Sequence, residues 1–150
     1  MALIRDMQLK DLKEVLEIEK NSFPKPMAMN YFITQLAKDT SVCLVAEEAG
    51  HIIGYIVVTQ YVEVWHILDI AVHDDYRRRY IATDLLDELF KRCGRKKHRG
   101  YTLEVRKSNR GAIKMYESFH FICSGVRKGY YSDNGEDALI MWKDSEDMLA

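Results

Sequence analysis

Little in this chain of 150 residues points to a specialised physical class. It has three cysteines, Cys43, Cys93 and Cys123, an odd and widely spaced set. Such a set supplies neither a zinc pattern nor a disulfide framework, and it reads as reduced, buried thiols. The longest strongly apolar run, near residues 52–58, is far too short to span a bilayer. The opening MALIRDMQL is charged too soon to read as a signal peptide, so a cytoplasmic, non-membrane protein is expected. There is almost no net charge: 22 Lys and Arg against 23 Asp and Glu give −1. That excludes a domain that holds nucleic acid by bulk charge alone. GxxxxGK[ST] and GxGxxG are both absent, which removes the Walker loop and the dinucleotide fingerprint. No His, Cys and Asp cluster has metal-ligand spacing, so no metal is expected.

What is present suffices for one folded domain over residues 1–150. Apolar residues make up 47% and aromatics 11%, enough for a sizeable core and too much for disorder. The near-neutral total conceals a segregation. Residues 76–99 hold nine basic and three acidic residues, a local +6, so the rest of the chain carries −7. Residues 133–148 contribute −5 of that. A confined basic patch calls for a confined anionic partner.

The patterning predicts a mixed α/β sheet flanked by helices. Leu3 and Ile4 end a short strand. Asp11 is placed to cap a helix bearing Leu12, Val15, Leu16 and Ile18, which stops near Pro24 and Pro26, the only prolines. Tyr31, Phe32, Ile33 and Leu36 mark a second, short helix. Strands follow at residues 41–47, 51–61 and 64–72, the middle one apolar on both faces and interrupted by Gly54. Asp69 is the only charge inside the third. Ile81, Ala82, Leu85, Leu86, Leu89, Phe90 and Cys93 recur at helical spacing and make the strongest helix. Gly94 ends it, and the RKKHR run reads as a solvated turn. A strand at 101–106, a helix capped by Ser108 or Asn109, and an antiparallel pair at 121–130 and 136–142 complete the order. The acidic residues 144–147 read as a frayed end.

The strand ending at Val72, the turn Arg77-Arg78-Arg79 and the following helix form one unit. Unpaired amides at a helix start favour a phosphate or pyrophosphate, and guanidinium forks reinforce that. The alternative is a solvated basic turn. Arg77-Arg78-Arg79-Tyr80-Ile81-Ala82 resembles the pyrophosphate loop [Gln/Arg]-x-x-Gly-x-[Gly/Ala] of the GCN5-related N-acetyltransferases (GNAT). With the ILDIAV strand, LEVRKSNRGAIKMYESFHF and KGYYSDNGEDALIM, the likeness covers essentially the whole chain. Within the family the chain resembles both archaeal NatA-like enzymes and bacterial ribosomal-protein alanine acetyltransferases.

The resemblance implies direct transfer of acetyl from acetyl-CoA to the free α-amine of a protein N-terminus, possible acceptors including ribosomal proteins. A monomer or weak dimer is compatible with it, and with no recognition helix or aromatic RNA motif in the sequence no specific nucleic acid is expected. It also implies that two central parallel strands splay apart. The pantetheine arm would pair with Ile70, Ala71 and Val72. Amides from Arg77, Arg78, Arg79, Tyr80, Ile81 and Ala82 would hold the pyrophosphate, and Asn109 would touch the arm. Glu104 would accept the amine proton and Tyr116 would serve the departing sulfur, with His66 as an alternative base. Phe23, Pro24, Tyr31, Arg106, Tyr130 and Tyr131 would meet the acceptor; Asp133 and Glu136 read equally as negative charge beside its ammonium and as residues that only solvate the hairpin. From the residues alone, Glu104 reads equally as a solvent-facing strand residue, and Tyr116 as part of the core stripe with Ala112, Ile113 and Phe119.

Five positions depart from the family pattern. Tyr80, Arg78 and His120 stand where glycines are usual, and Lys25 stands where NatA-like chains carry a glutamate; Met27 also replaces a tryptophan. These keep open a small-amine or lysine acetyltransferase of the same fold, and a non-catalytic CoA-binding subunit.

Overall fold

The computed structural model describes residues 2–146. Its framework is a seven-stranded sheet in the order β1-β2-β3-β4-β5-β7-β6. The strands are β1 (Leu3–Asp6), β2 (Ser41–Glu48), β3 (His51–Tyr61), β4 (Val64–Val72), β5 (Gly100–Arg106), β6 (Ile122–Tyr131) and β7 (Glu136–Asp144). The helices are α1 (Leu12–Ser22), α2 (Met29–Leu36), α3 (Ile81–Cys93) and α4 (Arg110–Ser118). The expected order of elements and the mixed sheet are both observed. Every strand pairing is antiparallel except β4 with β5.

Two apolar layers sandwich the sheet. On one face α3 and α4 press Leu85, Leu86, Leu89 and Tyr116 onto Ile53, Ile56, Ile67 and Leu103. On the other, α1 and α2 press Leu12, Val15, Ile18 and Phe32 onto Val45, Tyr55 and Val57. This explains why β3 is apolar on both sides: helices cover both. Gly54 serves the packing. A Cβ there would stand 3.1 Å from Ile81 Cγ2 and 3.2 Å from the Ala71 carbonyl oxygen, so α3 approaches as closely as it does only over a glycine.

Local details differ from the sequence reading in four places. Asp11 does not cap α1. Its Oδ2 accepts the Gln8 N–H at 2.8 Å and its carboxylate grips Arg5, which holds its pKa below the ordinary value. His98 is buried rather than solvated in the basic turn, its Nε2 2.8 Å from Glu146 Oε1. Cys123 is exposed, while Cys43 and Cys93 are buried as expected. Asp144 closes β7 and accepts the Trp142 indole N–H at 2.8 Å, whereas Asp147 lies outside the described residues.

Among the described residues no helix is long and apolar enough to cross a membrane. None of their His, Cys, Asp and Glu side chains form a group of three or more suited to a metal ion.

Candidate active site

The central strands separate almost as soon as they meet. β4 and β5 pair only at Val64 with Gly100, Trp65 with Tyr101 and His66 with Thr102. Beyond His66 a bulge displaces β4: Val57 faces Asp69 but Val58 faces Ile67, leaving Leu68 extra. A bulge bends its strand and ends regular pairing. The His73 N–H donates to the Ile53 carbonyl across β3 and β4. Strand alternation then turns the backbone groups of Ile70 and Val72 toward the open wedge and those of Ala71 toward β3. Of the three β4 residues expected to offer backbone, Ala71 is therefore committed elsewhere.

His66 and Glu104 meet at the point of separation, Nε2 to Oε2 at 2.7 Å. They were alternatives in the sequence and are partners in the fold. The hydrogen bond from His66 holds the Glu104 pKa below its ordinary value against the opposing effect of burial, with a smaller contribution from Arg127 at 3.6 Å. Glu104 is thus a half-buried carboxylate and not a solvent-facing one. Tyr116 comes from α4 and packs edge-on against Phe121 at 5.5 Å. Its hydroxyl has no hydrogen-bond partner among the described residues. Burial pushes its pKa up, so it keeps its proton. The core and donor readings of Tyr116 are compatible, since the ring packs and the oxygen is left over.

At the open end of the wedge lies the arginine loop. Arg78 and Tyr80 both adopt left-handed backbone, φ 65° and 62°. These are the positions where the family pattern has glycine, so the loop keeps the glycine conformation without the residue. No side chain caps α3, which leaves its first amides free. The three arginines do different work. Arg79 is clamped to Glu48 by two bonds of 3.1 and 2.9 Å. Arg77 pairs with Asp74 at 2.9 Å and donates to the Val72 carbonyl at 3.2 Å. Arg78 has no ion pair among the described residues. Free amides at a helix start, an unpaired guanidinium and an open strand edge together fit an acyl thioester on a pyrophosphate-bearing carrier. Ile70, Val72, Arg78, Tyr80, Ile81 and Ala82 are the residues that would hold it. Asn109 caps α4, its Oδ1 accepting the Ala112 N–H at 3.2 Å, so only its amide N–H groups remain to face a ligand.

The acceptor candidates lie on the opposite rim. Tyr130 and Tyr131 stack edge to face at 5.0 Å, and the Arg106 guanidinium covers the Tyr131 ring at 4.0 Å. β6 gains two residues over β7 between Arg127 and Tyr131, and this bulge pushes Tyr130 outward to 47% exposure. Burial raises the Tyr131 pKa to about 12. Arg106 also binds Asp133 at 2.9 Å and Glu136 at 3.3 Å, so one guanidinium holds both of these hairpin carboxylates. Phe23 closes α1 and packs into the core, Pro24 is exposed, and Tyr31 sits edge-on to Phe32 at 5.4 Å. Two groupings escaped the sequence reading. Asp69 faces Glu19 in the interior, where burial drives its pKa far above the carboxylate range. Glu19 in turn accepts the Tyr55 hydroxyl and, at 2.9 Å, the Met27 N–H. The lone charge inside an apolar strand was the available signal. The second grouping is the bond between Lys25 and Ser132, 107 residues apart.

Comparison with known proteins agrees with this geometry. The sequence model of the Acetyltransferase (GNAT) family matches residues 11–121. The chain is 38% identical to a Bacillus subtilis (strain 168) protein named as a candidate [ribosomal protein bS18]-alanine N-acetyltransferase, over 94% of each chain. It is 31% identical to an N-alpha-acetyltransferase of Saccharolobus solfataricus, covering 92% of this chain and 90% of that one. Among solved structures, the ribosomal-protein-S18-alanine N-acetyltransferase of Escherichia coli superposes with a TM-score of 0.88 at 27% identity, over 96% and 94% of the two chains.

Proposed function

Because the chain belongs to the acetyltransferase (GNAT) family, we propose that it is an acetyl-CoA-dependent N-terminal protein acetyltransferase. The observation that carries this reading is the 2.7 Å contact between His66 and Glu104 where β4 and β5 begin to separate, with the unpaired Tyr116 hydroxyl on the α4 side.

Bound acetyl-CoA would supply an acyl group on a thioester and a thiolate able to leave. The protein's part is proton management and alignment. An α-ammonium has no lone pair, so it must lose a proton before it can attack. Glu104, held ionised by His66, takes that proton directly or through a water. His66 offers an imidazole able to relay it. Tyr116 holds a proton on its hydroxyl for the departing sulfur, and its raised pKa keeps that proton available at neutral pH. Tyr131, fixed under Arg106, and the exposed Tyr130 present aromatic faces and hydroxyls at the rim, which would suit a chain end. The names of the relatives point the same way: alanine of a ribosomal protein in one, α-amines in another.

The test is turnover of acetyl-CoA on matched peptides with free and blocked N-termini, each carrying one internal lysine. Acetylation confined to the free α-amine is expected. Equal turnover on the blocked series would sink the reading.

A further inference from the structure

The rim of the cleft is assembled from two distant segments, the stretch between α1 and α2 and the hairpin between β6 and β7. One side-chain bond joins them: the Lys25 ammonium donates to Ser132 Oγ at 2.6 Å. Both side chains are exposed, and the acceptor hydroxyl is neutral. The carboxylates nearby have other partners. Asp133 and Glu136 are held by Arg106, and Glu104 by His66 and Arg127. Among the described residues no carboxylate lies within 4.0 Å of the Lys25 nitrogen. These acids are engaged by Arg106, His66 and Arg127, whereas the Lys25 cation rests on a hydroxyl that a better acceptor can replace.

Geometry sets which part of an acceptor would meet it. Glu104 and Arg106 are alternate residues of β5, so they share a face about 6.7 Å apart. The Arg106 guanidinium lies on Tyr131, and Ser132 follows directly. An extended peptide covers about 3.3–3.6 Å per residue. A chain whose α-amine stands at Glu104 and which runs past Arg106 and Tyr131 would bring its second or third residue to the Lys25–Ser132 bridge.

We infer that Lys25 is a specificity-determining residue, selecting acceptor N-termini with an acidic side chain at the second or third position, whose carboxylate takes the place of the Ser132 hydroxyl. This rests on the N-terminal reading above. A carboxylate accepts from an ammonium more strongly than a hydroxyl does, but at an exposed rim the gain is only a few-fold.

The experiment compares kcat/KM for synthetic peptides that all begin with alanine and carry Asp, Asn or Lys at positions two and three. The enzymes are the parent chain, Lys25→Met and Lys25→Glu, assayed at about 0.05 M and 0.5 M salt. For the parent chain, Asp exceeds Asn by about threefold, and Asn exceeds Lys by a similar factor. Lys25→Met flattens the series, Lys25→Glu reverses it, and high salt compresses both orders. Equal kcat/KM across the three peptides, or an unchanged order in Lys25→Glu, overturns the role of Lys25 and leaves N-terminal acetylation standing. Failure of every free-amine peptide to react overturns both.

Discussion

His66, on the last rung that joins the two parallel strands, holds its Nε2 2.7 Å from Oε2 of Glu104, two residues past that rung on β5. The pair couples a strand ending in the wedge to one facing the rim, so each side chain fixes the other. Glu104→Gln keeps the shape but removes the charge, and it should lower kcat about 10²- to 10⁴-fold. His66→Ala frees the Glu104 carboxyl, whose folded pKa then rises toward its ordinary value. In the parent chain that pKa is depressed, so the carboxylate persists as pH falls below the usual range. The acid limb of kcat/KM should therefore follow the acceptor amine, near pH 8. Rate profiles with peptides of different amine pKa check this: a limb that ignores the peptide would contradict it.

Tyr116→Phe retains the ring packed on Phe121 and deletes only the spare hydroxyl. A drop in kcat of about 10²-fold is expected, with melting temperature and acetyl-CoA affinity nearly unchanged. Steady-state kinetics beside calorimetric titration separates these. Wild-type kcat in a well-folded Tyr116→Phe protein would remove Tyr116 from the chemistry.

Tyr80 holds φ 62° with its ring 77% exposed, a conformation that costs a non-glycine residue about 1 kcal/mol. Tyr80→Gly removes this strain, partly offset by the greater freedom of glycine in the unfolded chain. The melting temperature should rise by about 1–3 °C, while CoA affinity is retained because only the backbone amide is used. Loss of CoA affinity would instead assign the tyrosine ring to the ligand.

Asp69 binds its proton far more tightly when folded than when unfolded, because burial and Glu19 oppose its charge. Between the two pKa values the native state carries the extra proton, so stability falls as pH rises above about 4. Asp69→Asn has nothing to lose over that range. Urea melts at pH 5, 7 and 9 should show the variant gaining on the parent as pH rises. Parallel curves would mean that Asp69 is ionised in the fold.

The order of elements was readable because strands and helices here carry clean periods, and α3 and β3 state theirs most plainly. Glu104 and Tyr116 were legible through their place in the LEVRKSNRGAIKMYESF segment, but their environments were not. Strand alternation alone cannot say that the carboxylate turns toward an imidazole 38 residues away, since that depends on the β4–β5 register, which sets His66 opposite Thr102. The arginine triplet was visible as charge. Its division into clamp, strand cap and free cation arises from Glu48 and Asp74, which lie on other elements. The acidic hairpin is similar: counting charges does not reveal that Arg106 engages both Asp133 and Glu136.

The three-rung junction between β4 and β5 makes the sheet two plates on a short hinge, β1 to β4 on one side and β5 to β7 on the other. A ligand that supplies the missing rungs along Ile70 and Val72 acts as an inserted half-strand. Its binding energy then counts toward folding, about 2.7 kcal/mol at a hundred times Kd. Deuterium uptake should register this directly. The Ile70 and Val72 amides exchange readily in the free chain and become protected with CoA bound, while Ala71, already tied to β3, exchanges slowly throughout.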